Sequence, residues 1–187
     1  MPTILSHAAV PLVVGYIVGG RRIPGRLMVA GVAAAMLPDA DVALHLFIDA
    51  PWGSPWRHRG FTHSIAFALA IGLLGAMAAG RMRARPLVAF CFLAACTASH
   101  GMLDALTAGG GGLPFLWPVT EQRWAFPWRP IEVSPIGLRA LTSERLPSVL
   151  RSELRWIWLP AVMVAVLFRP PWRGQRSVRA ARSGGRG

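Results

Sequence analysis

Five apolar segments, covering residues 5–19, 27–46, 62–79, 87–106 and 156–168, alternate with short polar connections along this chain. A helix rising about 1.5 Å per residue needs about 20 residues to cross a hydrocarbon core about 30 Å thick. The third and fourth segments come nearest to that length, the first and fifth are short, and Pro160 interrupts the fifth. The second suffices only if it continues through the acidic run LPDADVALHLF. The pattern predicts an all-α fold, a polytopic transmembrane helical bundle with four to five spans and a long outer-side loop. The first residues lack a basic start and a cleavage pattern, so they read as a retained first span and not a signal peptide.

Charge sets the orientation. The chain carries 20 Lys+Arg against 8 Asp+Glu, and every basic residue is arginine. Arg21, Arg22 and Arg26 fill the first connection, Arg81, Arg83 and Arg85 the third, and Arg169 to Arg186 the end, with no acid among them. By the positive-inside rule these stretches are cytoplasmic, which leaves the N-terminus, residues 47–61 and the loop 107–155 outside. Residues 1–168 are then one membrane-embedded domain, and 169–187 a disordered basic cytoplasmic tail. The arginines form no basic helix or aromatic-interleaved stripe, so specific nucleic-acid binding is not expected. Cys91 and Cys96 diverge on a single helix and read as packing residues, not a disulfide. Trp117, Trp124, Phe126 and Trp128 suit the headgroup layer, so the outer loop is expected to lie on the membrane or cover something, with a short hairpin near residues 123–133.

Depth adds a stronger constraint. Counted from the cytoplasmic ends at 1.5 Å per residue, His7 lies about 20 Å up, Asp39 about 18, Asp41 about 21, His63 about 26, His100 about 21 and Asp104 about 27 Å. Six ionisable groups from four segments fall in one slab. Each costs a few kcal/mol or more inside a bilayer unless paired, hydrated or metal-bound. A shared outward-opening pocket holding a divalent cation satisfies them together. His100 and Asp104, four apart, share a helix face. Asp39 and Asp41, two apart on an unbroken α-helix, would point about 200° from each other, so only one could face the pocket. With no thiolate in the set, zinc is the first expectation, and manganese or iron also fit. Asp49, Glu121 and Glu132 read as ordinary loop acids.

The order Ser6-His7, LPDAD (37–41), HRGFTHS (58–64), SHGMLDALT (99–107) and LPFLWP (113–118) resembles the YdjM-like family of bacterial inner-membrane proteins, described as membrane-bound metal-dependent hydrolases. The resemblance implies a multi-pass protein of the bacterial inner membrane whose motif His and Asp residues bind divalent metal. Relatives carry a histidine directly after Pro-Asp-x-Asp, where this chain has Val42, and whether His45 takes its place is left open. The ligand order is also similar to that of zinc-dependent phospholipase C.

The function expected is hydrolysis of a phosphoester or ester, lipid-linked, at the outer face. His7, Asp39, Asp41, His63, His100 and Asp104 are the candidate metal ligands. Asp39 is the candidate proton acceptor, His58 a further ligand or general acid, and Arg59 a fork for an anionic substrate. Thr62 and Ser64 are expected to cap the third helix and fix His63. Membrane lipid is the expected partner, with an anionic or lipid-linked substrate, and protein partners are left open. Two rivals stand beside this reading, a divalent-cation transporter or channel and a non-catalytic scaffold with a structural metal. The first is disfavoured because the lower halves of the segments contain no acid or histidine.

Overall fold

The computed structural model describes residues 1–46, 49–51, 53–135 and 142–168. The basic tail and the side chain of His45 lie outside the described residues. Six α-helices follow in order: α1 (Ala9–Val18), α2 (Gly25–Met36), α3 (Ile65–Met77), α4 (Pro86–Ala105), α5 (Leu146–Glu153) and α6 (Leu159–Leu167). Among the described residues there is no strand, only single bridges joining Thr107 to Ile131 and Leu113 to Trp124. The hairpin expected near residues 123–133 is replaced by these two longer-range pairings, which tie the outer loop to the end of α4.

α4 is the helix around which the others gather, and its sequence accounts for it. Pro86 occupies its first turn, where a missing N–H costs nothing. Helix-favouring Ala and Leu follow, and all 20 residues stay helical. Among the described helices it alone is long and apolar enough to cross a membrane. The shorter apolar stretches are Ile4–Val18 and Ile65–Met77. α3 lies along α4 through Gly72 and Gly75, where a Cβ would come within 2.9 Å of the Phe90 carbonyl and 2.4 Å of Leu93 Cδ1. α2 packs on another flank, with the Phe92 ring over Gly31, and Leu27, Ala35, Ala89 and Cys96 share that buried core. Both cysteines are free, and of the two only Cys96 packs inside, since Cys91 is exposed. Leu69, Leu73, Met77, Leu87, Met163 and Val166 are all exposed, the surface expected of helices facing hydrocarbon.

Two segments depart from expectation. The second apolar segment is α-helical only to Met36 and then tightens into a 3₁₀ stretch, Leu37–Leu46. Pro38 has no N–H to give the carbonyl four residues back, so the α ladder cannot pass it. The long outer loop is shorter than 107–155, because α5 starts at Leu146 and leads through one π turn, Leu154–Trp158, into α6. Pro160 explains the π turn in the same way. Its missing N–H leaves the ladder short, and the Leu159 N–H reaches back five residues to the Leu154 carbonyl.

Arg26 Nη1 donates to the Arg81 carbonyl at 3.1 Å, so the first and third arginine-rich connections meet at one end of the bundle. At the other end the chain start is fastened to the end of α5. Glu153, 2% exposed, accepts hydrogen bonds from the Thr3 N–H, from Thr3 Oγ1 at 2.7 Å and from Ser6 Oγ at 2.8 Å. Trp158 Nε1 also donates to Ser6 Oγ, at 3.1 Å. Glu153→Leu should therefore strand three donors at a cost on the order of 3 kcal/mol. That lowers the thermal midpoint of detergent-purified protein by about 5–10 °C, whereas Glu121→Gln in the exposed loop leaves it in place. Equal midpoints for the two variants would show that the clamp contributes nothing.

Candidate metal centre

Four local devices deliver the polar side chains to one place. His7 sits in the 3₁₀ turn Ile4–Ala8, directly after the clamped Ser6. Asp39 and Asp41 follow the proline that ends α2. His63 closes the short 3₁₀ turn Phe61–His63 ahead of α3. Ser64 caps α3, accepting from the Phe67 N–H at 3.1 Å, and the Phe115 carbonyl accepts from the Ile65 N–H at 2.9 Å. The cap expected of Thr62 is not formed. Its hydroxyl donates to Asp41 Oδ2 at 2.8 Å and stands 2.9 Å from His63 Nδ1, so it fixes His63 from the side. His100 and Asp104 lie on the buried face of α4 with Thr97 and Gly101.

The unbroken helix on which only one of Asp39 and Asp41 could face the site does not form, because the α-helix gives way to the 3₁₀ stretch at Leu37. The segment 58–63 folds across the 3₁₀ stretch, so carboxylates leaving it in different directions both find histidines. Asp39 Oδ1 lies 3.3 Å from His100 Nε2 and 4.0 Å from His63 Nε2. Asp41 Oδ1 is 2.7 Å from His58 Nδ1, and its Oδ2 is 3.5 Å from His63 Nδ1. His63 stands between the two carboxylates with one ring nitrogen toward each.

The inner cluster is Asp39, His63, His100 and Asp104, whose ligand atoms all lie within 4.8 Å of one another. His63 Nε2 and Asp104 Oδ2 are 3.6 Å apart, although 41 positions separate them in the chain. His7 completes the group, its Nε2 at 3.8 Å from Asp104 Oδ1 and 4.0 Å from Asp39 Oδ2, and its ring stacked 3.7 Å from that of His100. Ligand atoms on a tetrahedron of about 2.1 Å radius stand about 3.4 Å apart. These separations suit a common cation.

Hydrogen bonding strengthens the case. His100 Nδ1 lies 2.8 Å from the Ala35 carbonyl, an acceptor left over at the end of α2, so Nδ1 carries a proton and, in the neutral ring, Nε2 a lone pair. The Thr62 hydroxyl gives its one proton to the Asp41 carboxylate and can only accept from His63 Nδ1, which leaves His63 Nε2 with a lone pair as well. Those two Nε2 atoms are 3.2 Å apart. Two lone pairs facing each other repel unless a cation or proton lies between them. Both ring nitrogens of His7 and both carboxylate oxygens of Asp39 are buried without a hydrogen-bond partner, whereas of the Asp104 oxygens Oδ2 has the Arg59 guanidinium at 3.1 Å. Such orphans are rare among native polar groups and costly, and a bound metal ion relieves those that face it, one nitrogen of His7 and carboxylate oxygens of Asp39 and Asp104. The donor set therefore fits a divalent ion, with backbone and hydroxyl partners behind the histidines as metal sites require.

The second group, Asp41, His58 and His63, could by spacing also hold an ion. Its carboxylate is already engaged by His58, by Thr62 and by the Arg59 N–H at 3.2 Å. Arg59 is turned inward, 7% exposed, with Nε 3.1 Å from Asp104 Oδ2. Nη1 donates to the Gly109 carbonyl at 2.7 Å and Nη2 to Thr107 Oγ1 at 2.7 Å. Its backbone is left-handed, with φ 65°, a strained choice for a non-glycine residue that the buried contacts hold in place.

Several supporting residues escaped sequence reasoning. Gly110 is needed because a Cβ there would lie 2.1 Å from Arg59 Nη1, so the GGGG run after the His-x-x-x-Asp helix is its only signal. Arg123 donates to the Arg59 carbonyl at 2.8 Å and the Gly112 carbonyl at 3.0 Å, clasping the two outer loops. Burial, and then the Arg59 charge, lower its pKa from the ordinary value. Glu153 had no signal beyond its sign. Asp49 and Glu121 are exposed as expected, whereas Glu132 accepts from Ser148 Oγ at 2.7 Å.

An all-helical membrane protein with a buried histidine and carboxylate cluster is the class that this fold and site define. The chain belongs to the YdjM inner membrane protein family, whose pattern matches residues 1–174. It is 42% identical over 165 residues to "Inner membrane protein YbcI" of Escherichia coli (strain K12), covering 88% of this chain and 95% of that protein. No solved structure matches it. The protein purified without chelator is expected to retain a divalent ion by elemental analysis, and His63→Ala and Asp104→Asn to lose it. Thr62→Val, which removes only the hydroxyl behind His63, should weaken affinity by about 10–100-fold. Full metal content in Asp104→Asn would rule out the inner cluster as the site.

Proposed function

We propose that this protein is a membrane-bound metal-dependent hydrolase acting on a phosphoester or ester, lipid-linked, at the outer face of the inner membrane. The observation that carries the reading is the convergence of His63 Nε2 and His100 Nε2, 3.2 Å apart, with the buried carboxylates of Asp39 and Asp104 beside them. His7, Asp39, His63, His100 and Asp104 hold the ion, and a set of nitrogen and oxygen donors without thiolate suits zinc. When bound, such an ion lowers the pKa of water toward neutrality and polarises the scissile oxygen.

The protein's own groups divide the remaining work. His58 moves the proton, because Asp41 fixes its Nδ1 at 2.7 Å and its side chain keeps 13% exposure beside a site otherwise closed to solvent. Asp39 is better placed as a ligand than as the proton acceptor, since both of its oxygens face the cluster. Arg59 positions Asp104 and the glycine loop, and substrate contact falls to other groups.

The same proposal places the N-terminus outside and the tail in the cytoplasm, which requires an odd number of spans and so takes five. It is supported by the arginine distribution and by the meeting of Arg26 with Arg81 at the end of the bundle away from the cluster. A fluorescent protein fused after residue 187 should glow and an alkaline phosphatase fused there should be inactive. The reverse pair of results would invert the orientation.

One observation favours a second reading, a purely structural ion: the side chains of His7, His63 and Asp104 are fully buried. Zinc- or manganese-loaded protein offered phosphodiester and ester lipids in vesicles separates the two. Hydrolysis is expected, with His58→Ala reducing kcat by about 10²–10⁴-fold while metal content stays constant. Intact lipids, together with a melting midpoint that falls on chelation, would leave only the structural ion.

A further inference from the structure

Beside the metal cluster lies a pocket of about 580 Å³ that the cluster itself does not use. Its inner end is His63 and Ser64; its sides are Ile65 from α3 and Ala98, Met102 and Ala105 from α4; its roof is Phe115, Leu116, Trp124, Ala125 and Phe126 of the outer loop. Ligand pockets occupy roughly 300–1,000 Å³. This one is lined almost wholly by hydrocarbon and aromatic carbon.

The rim shows where an occupant comes from. Ile65, Met102, Leu116, Trp124 and Phe126 are each more than a third exposed, so the apolar lining continues to the outside of the bundle. Below Ile65, the side chains of Leu69, Leu73 and Met77 follow at intervals of four, all exposed, and carry the apolar surface down α3. The mouth therefore opens sideways onto the hydrocarbon that surrounds a membrane helix, and the blind end reaches a histidine of the metal cluster. Gly101 makes the junction possible, since a Cβ there would meet the Phe115 ring at 3.0 Å and the His63 carbonyl at 3.2 Å.

We infer that this pocket binds one acyl chain of an outer-leaflet phospholipid, entering laterally between α3 and α4 so that its headgroup end comes to rest at His63. The inference takes the identity of the reacting lipid from the proposed hydrolase reading, but the binding step does not depend on it. An acyl chain is the occupant because the mouth faces the bilayer, whose solvent is acyl chains, and because nothing in the pocket beyond His63 and Ser64 could satisfy a polar ligand.

The test uses the full-length protein in phosphatidylglycerol vesicles containing a phosphatidylglycerol whose acyl chain carries a diazirine. After illumination, mass spectrometry should find labels on peptides containing Met102, Leu116 and Phe126 well above those on Met163, which faces lipid outside the pocket. Ala98→Phe, which fills the pocket, and Met102→Trp, which narrows its mouth, should each reduce pocket labels about tenfold. Labels on Met163 and metal content should not change, which reports on folding. Pocket labels no higher than those on Met163, or insensitive to both variants, would overturn the proposal, as would labelling by a diazirine-bearing isoprenyl phosphate in place of the acyl probe. Failure to hydrolyse lipid with labelling intact would instead sink the hydrolase reading alone.

Discussion

The structure is organised around the close approach of two imidazoles, His63 and His100, whose Nε2 atoms stand 3.2 Å apart and need a cation or a proton between them. His63 and His100 arrive from different helices with their lone pairs aimed at one point, and Asp39 and Asp104 close on the same point from two more directions. In water each would be solvated separately. Inside a bundle of apolar helices they make sense only with positive charge among them, and Arg59 supplies that charge to Asp104 alone. The geometry of the bundle follows from the need to bring those groups together. α2 ends at Met36, ahead of Pro38, which leaves the Ala35 carbonyl to His100 and presents Asp39; α3 begins after a tight turn that displays His63; α4 carries His100 and Asp104 on one buried face.

A layered construction keeps the ligands in place. Behind His63 is Thr62, behind Thr62 is Asp41, and Asp41 also holds His58 and the backbone of Arg59. Arg59 in turn reaches Asp104 and the glycine loop, and Arg123 grips the Arg59 carbonyl from outside. A change at the surface end of this chain is therefore felt at the ligands, because each group has its orientation fixed by the next.

The parts legible in the sequence were those governed by local rules. Helical class, the arginine-marked connections, and the common level of the histidines and aspartates all followed from counting residues at a fixed rise. His100 and Asp104 could be paired with confidence in their geometry because an α-helix fixes the relation between positions four apart. The fate of Asp39 and Asp41 was not legible, since it depended on a proline-induced change of helix type and on a loop folding over it from elsewhere. Arg59 looked like an outward-facing fork because nothing local reveals a left-handed residue, and its partners Thr107 and Gly109 lie about fifty positions away. Glu153 is the extreme case, an acid in an amphipathic stretch whose three donors come from the beginning of the chain.

That last contact fixes an order of events during biosynthesis. Thr3 and Ser6 leave the ribosome first, yet their acceptor is made 150 and 147 residues later. Until α5 has been translated, the segment that carries His7 lacks this clamp and is held only by its packing against the earlier helices and the stacking of His7 on His100. The helices made earlier can gather around α4 before then, so newly made chains pass through a state in which the cluster is built but its first histidine is not yet locked beside it.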